Sequence, residues 1–169
     1  EGSALVAYLC AGDPTPTETL GLMIACADGG ADVIELGVPF SDPTADGPTI
    51  QAASERALAA GTRVEDVLGA CREFVNARPH CPVVLFGYWN PWHRIGPERT
   101  ARLAKEAGAS GLLVVDLPPE ESAELDAECE ERGLARRPAG QPPGPKGLRA
   151  GKPFAFAVCP LNEQAKALG

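Results

Sequence analysis

Apolar residues in this chain come in short unbroken runs, and the longer stretches between them carry apolar residues at helical spacing. The runs at 4–9 (ALVAYL), 33–36 (VIEL), 82–86 (PVVLF) and 111–115 (GLLVV) predict four strands. They are continuous rather than alternating, the pattern of strands covered on both faces. Thr15 opens a helix with Pro16 behind it and Glu18 three positions on, a capping-box pattern. Leu20, Met23, Ile24 and Ala27 share one face of that helix before Gly29-Gly30 stops it. A second helix is expected over 48–60, starting on Pro48. A third follows a Thr62/Glu65 capping box, with Val64, Val67, Leu68, Cys71 and Val75 at helical spacing. Helices over 97–107 and 119–132 each end at a glycine, Gly108 and Gly133. This alternation predicts an α/β fold: a parallel sheet with helices on its outer face.

The pattern breaks at 136–153. The tract RRPAGQPPGPKGLRAGKP holds five Pro, four Gly and five basic residues in an otherwise acidic chain. Such a composition buries too little apolar surface to order itself. Beyond it, Phe154 to Val158 offers a fifth strand, and 159–169 a loop with the first turns of a helix. The expected organisation is a βα segment over 1–135, a disordered Pro/Gly-rich basic insertion over 136–153, and a fifth βα unit over 154–169.

Charge and cysteine usage narrow the function classes. Lys and Arg number 15 against 23 Asp and Glu, a net charge of −8. That balance argues against nucleic acid or an anionic membrane as partner. An anionic ligand would need a local site of backbone N–H groups at helix starts. The six cysteines form no C-x-x-C pair and fall mostly in apolar contexts, which predicts reduced, buried thiols and a cytoplasmic protein. His80 and His93 add no tight ligand cluster, so no metal site is expected, and His93 is expected in a solvent-facing loop. No apolar run approaches the ~18 residues of a membrane span, and the Glu-Gly-Ser start shows neither a signal-peptide pattern nor an initiator Met.

Two acids stand out in ADVIELGVPFSDPTADGPTI, residues 31–50. Glu35 lies inside an apolar strand, where a carboxylate is costly without a partner or a task, and partial burial is expected to raise its pKa. Asp46 follows one loop later, directly before Gly47 and Pro48. From the residues alone, a structural Glu paired with a Lys or Arg is the favoured reading of Glu35, and an Asp placed for the helix dipole is the alternative reading of Asp46.

The segment IELGVPFSDPTADGP resembles the signature of the tryptophan synthase α subunit family. AYLCAGDP at 7–14, LFGYWNP at 85–91 and LLVVDLPPEE at 112–121 match the same family, in order and spacing, from about Ala4 to Ala135. The resemblance implies part of a (β/α)8 TIM barrel, some four to five βα units, since a full barrel takes about 250 residues. It also makes the 136–153 tract an insertion, because the family passes almost directly from its fourth helix to its fifth strand. The phosphate-gripping loops of the family follow strands seven and eight, which this sequence does not supply.

The activity implied is aldol cleavage of indole-3-glycerol phosphate to indole and glyceraldehyde 3-phosphate, late in tryptophan biosynthesis. By resemblance Glu35 is the proton-shuttling acid/base, and Asp46 faces the indole N–H. Tyr8, Phe86, Tyr88 and Leu113 line the indole slot, and Asp116 orients or links to an interface. No cofactor is implied for this chain; pyridoxal phosphate belongs to the partner β subunit of an αββα heterotetramer. Asp42, Pro43 and Thr44 are the implied contacts with that subunit, and Trp89 or Trp92 of the NPWHR loop would suit an interface anchor. Two other readings stand beside this one: an inactive truncated fragment, or a module that docks on β without turnover. A third, an indole-glycerol-phosphate synthase relative, lacks a suitable Lys at an early strand end.

Overall fold

Each apolar run becomes a strand, as burial on both faces requires. β1 (Ala4–Cys10), β2 (Val33–Gly37), β3 (Val83–Gly87) and β4 (Gly111–Val114) lie within one residue of the expected bounds. The computed structural model describes residues 4–137 and 154–158. Two short strands complete the sheet, β5 (Ala135–Arg137) and β6 (Phe154–Val158). Every pairing is parallel, in the order β5-β4-β3-β2-β1-β6.

The last two strands revise the expected organisation. Phe154–Val158 is a strand, but it pairs with β1 rather than following β4. Ala135–Arg137 takes the place beside β4, so Arg136 and Arg137 of the expected insertion belong to the sheet. Three residues, two of them charged, carry too little apolar pattern to signal a strand. Residues 138–153 and 159–169, with the expected disorder and last helix, lie outside the described residues.

Among the described residues six α-helices connect the strands: α1 (Thr19–Asp28), α2 (Pro48–Ala59), α3 (Val64–Ala77), α4 (Trp89–Ile95), α5 (Pro97–Glu106) and α6 (Ala123–Glu131). Three local expectations change. Pro16–Glu18 is a 3-10 turn, and the Thr15 hydroxyl donates to the Glu18 carboxylate rather than capping backbone. α3 starts one residue late: Arg63 is the cap residue, and its N–H donates to Asp66 at 2.8 Å. The NPWHR loop is in fact helix α4, entered from Tyr88.

Strand alternation sorts the side chains onto two faces. Leu9, Ile34, Leu36, Val83, Leu85, Leu112 and Val114 join Met23, Val67, Phe74 and Leu125 of the helices in the main core. The other face carries Tyr8 and Cys10 of β1, on which Ala53 and Ala57 of α2 pack. α2 is also tied to the loop after β1. Arg56 donates two hydrogen bonds, both 2.8 Å, to the buried Asp13 carboxylate, whose burial is tolerable only with such a partner. Gly12 in that loop has φ +86°, and a Cβ there would fall 1.9 Å from the Thr62 hydroxyl, so only glycine fits. Among the described residues no helix is long and apolar enough to cross a membrane.

Candidate active site at the carboxyl ends of the strands

The inner face rises toward the carboxyl ends in two registered rows. Val84, Glu35 and Tyr8 lie side by side on β3, β2 and β1. Above them Leu113, Phe86, Gly37 and Cys10 lie side by side on β4, β3, β2 and β1. Gly37 matters because it has no side chain. Tyr8 leans across it toward Phe86, the rings meeting edge to face with centroids 5.3 Å apart. A Cβ at position 37 would lie 2.4 Å from the Tyr8 hydroxyl and 2.8 Å from Cζ. Gly37→Ala is therefore expected to swing Tyr8 off Phe86 and to cost about 1–3 kcal/mol of stability. Denaturant unfolding and the near-UV signal of the variant check this; an unchanged signal and midpoint would contradict the packing.

Glu35 is buried, 6% exposed, at the third position from the end of β2. Asp46 is half-buried on the β2–α2 loop, and it accepts a 3.1 Å hydrogen bond from the Tyr88 hydroxyl. The same phenol oxygen accepts the Ala45 N–H at 2.9 Å. The Tyr88 ring lies against Phe40, centroids 5.2 Å apart. Burial raises the Asp46 pKa above the ordinary carboxylate range, and the Tyr88 donor pulls part of the way back. Burial also pushes the Tyr8 phenol up, with Cys10, Asp46, Tyr88 and Glu35 adding to the effect. Both acids thus act on one phenol, which stays neutral in the physiological range. The Cys10 thiol, in contact with the Ser54 hydroxyl, is pushed up to about 11 chiefly by burial.

The structure gathers Glu35, Asp46, Tyr8, Phe86 and Tyr88 at one end of the sheet, with Leu113 beside Phe86. Phe86 and Leu113 are only partly buried. Asp42, Pro43 and Thr44 stand apart on the solvent side of the loop, exposed or partly exposed. Beside them a groove of about 490 Å³ runs between Phe40, Pro43, Gln51 and Leu58, the last 38% exposed. Asp116 accepts the Trp89 N–H, so it caps the start of α4 and ties the end of β4 to it. Trp92 is fully buried in the core and is no interface anchor; Trp89 is half-buried against the exposed His93. Sequence reasoning missed Gly37, Phe40 and the Asp13–Arg56 pair. Only Gly37, at the end of an apolar run, carried any local signal. Among the described residues no cluster of His, Cys, Asp and Glu has the arrangement of a metal site.

Parallel strands β1 to β5 side by side in chain order, with acids and aromatics at their carboxyl ends, fit the (β/α)8-barrel class. The chain belongs to the tryptophan synthase alpha chain family, whose model matches residues 1–139. The tryptophan synthase alpha chain of Azoarcus sp. (strain BH72) is 56% identical over 131 residues, covering 78% of this chain and 48% of that protein. The crystal structure of tryptophan synthase subunit alpha from Legionella pneumophila str. Paris superposes with a TM-score of 0.77 at 46% identity, covering 79% of this chain and 51% of that one. A second Legionella structure, the tryptophan synthase alpha chain of L. pneumophila subsp. pneumophila, reaches a TM-score of 0.79 at 36% identity, covering 99% and 66%. The chain spans about half the length of the curated relatives it matches. The fold is accordingly part of a TIM barrel with parallel strands.

Proposed function

We propose that residues 4–137 carry the acid–base half of a lyase that cleaves indole-3-glycerol phosphate into indole and glyceraldehyde 3-phosphate. The observation that carries this reading is the placement of Glu35 beside Tyr8 in the sheet and of Asp46 on the Tyr88 hydroxyl, at the end of the sheet where Tyr8 meets Phe86. Cleavage requires a proton on indole C3, loss of the hydroxyl proton from the adjacent side-chain carbon, and scission of the bond between those carbons. That leaves free indole and an aldehyde. Glu35, buried beneath the slot, is the group to move protons between carbon and oxygen. Asp46, ionised, faces the indole N–H and stabilises the positive charge that grows on the ring. Tyr8, Phe86 and Leu113 supply an apolar slot for the indole. No organic cofactor is needed for these steps, which ask only for placed acids, bases and dipoles. Cys10, Cys71, Cys81 and Cys129 are buried and in no disulfide, which supports a cytoplasmic protein.

The test is a chimera in which residues 4–137 replace the corresponding half of the Azoarcus relative. Indole release from indole-3-glycerol phosphate is the expected result; a folded chimera that releases none would overturn the reading. A second reading, docking on a β subunit without turnover, is supported by the exposure of Asp42 and Thr44 beside the apolar groove. In the proposed assembly this loop meets the β subunit, which holds the pyridoxal phosphate of an αββα complex. Titration of the chain with β separates docking from turnover.

A further inference from the structure

Tyr88 touches the β2–α2 loop at both ends. At the loop's start its ring packs on Phe40; at the finish its hydroxyl accepts the Ala45 N–H and donates to Asp46. Between these points the loop is held mainly by its own short bonds, Thr44 N–H to the Asp42 carbonyl and Asp46 N–H to the Pro43 carbonyl, and by Gln51 of α2, whose amide donates to the Asp46 carbonyl at 2.8 Å. None of these fixes the Asp46 carboxylate; among the described contacts, Tyr88 alone does. The phenol is 3% exposed and both of its hydrogen-bonding roles are taken by protein, so it acts on the loop rather than on a ligand.

We propose that Tyr88 is the positioning residue of this site, a two-ended clamp from β3 that sets the conformation of the β2–α2 loop and the aim of Asp46. The catalytic meaning rests on the function proposed above, whereas the clamp itself does not. The other ionisable groups acting with Asp46 are Tyr8 and Cys10 on β1, both neutral in the physiological range, and Glu35 of β2 stands beside Tyr8 in the sheet. Burial is the larger influence on Asp46 and raises its pKa, and the Tyr88 hydroxyl is the group that opposes it.

The experiment uses the full chain. The Asp46 carboxyl carbon is titrated by NMR, and hydrogen exchange is followed at the Ala45 amide, in the natural protein and in Tyr88→Phe. Phe keeps the ring on Phe40 and deletes both hydrogen bonds. The Asp46 midpoint is expected to move to higher pH, and Ala45 exchange to quicken about tenfold or more. An unmoved midpoint with Ala45 still protected overturns the clamp. Asp46→Asn is the second variant: it leaves the phenol oxygen facing Ala45, so that amide should stay protected, and loss of its protection counts against Tyr88 as the holding group. A merely structural tyrosine would lower the unfolding midpoint without shifting the Asp46 titration. Indole release by the chimera judges the catalytic reading separately, so the two failures are distinguishable.

Discussion

Glu35→Gln in the chimera is expected to lower indole release by about 10²- to 10⁴-fold while the protein stays folded. The substitution preserves volume and one acceptor oxygen, and removes only the capacity to gain and lose a proton. Glu35 is 6% exposed and lies between Val84 and Tyr8 in the registered row. Beside it in the sheet stand Val84 and Tyr8, and Tyr8 is itself too weak an acid to substitute. Folding should not suffer, because an amide avoids the desolvation that a buried carboxylate bears. Circular dichroism and denaturant unfolding establish the fold, and steady-state release of indole gives the rate. Activity within about tenfold of the parent would remove Glu35 from the proton-transfer role, whatever becomes of Asp46.

That prediction draws on residues legible in the sequence, and its context shows where legibility stops. Glu35 and Asp46 were visible because a charge inside VIEL is costly and because Asp46-Gly47-Pro48 sits at a helix start within a recognisable motif. The four strand positions were visible because both-face burial leaves unbroken apolar runs. Partnership was not visible: nothing in Phe154–Val158 says that it lies beside β1, since a short unbroken apolar run specifies no particular neighbour. Nor do local patterns show that Gly37 is empty to admit Tyr8, or that Tyr88 grips residues 42 and 43 positions upstream. These facts depend on which strands become adjacent, and adjacency is a property of the assembled sheet.

Trp92→Ala is expected to cost about 3–5 kcal/mol, against about 1 kcal/mol for Trp89→Ala three residues earlier. The contrast follows from α4, the helix that Pro91 hid. Pro91 falls in the first turn, where its missing N–H has no intrahelical partner to lose, so the helix forms despite it. Once formed, it turns Trp92 into the core at 0% exposure and leaves Trp89 half-buried beside His93. Trp92 packs close against the end of β3: a Cβ at Gly87 would sit 3.3 Å from its indole nitrogen. That nitrogen is buried and has no hydrogen-bond partner, so the residue is held by its area and not by its polar atom. Trp92→Phe should therefore be mild, under about 1.5 kcal/mol, because most of the packing survives and the unsatisfied N–H disappears. Denaturant midpoints for the three variants give the ordering. An interface anchor would behave in the opposite way, leaving the isolated chain's stability unchanged and weakening only its association with a partner. If Trp92→Ala unfolds no more readily than Trp89→Ala, α4 does not seat Trp92 in the core and the packing against Gly87 must differ from that described.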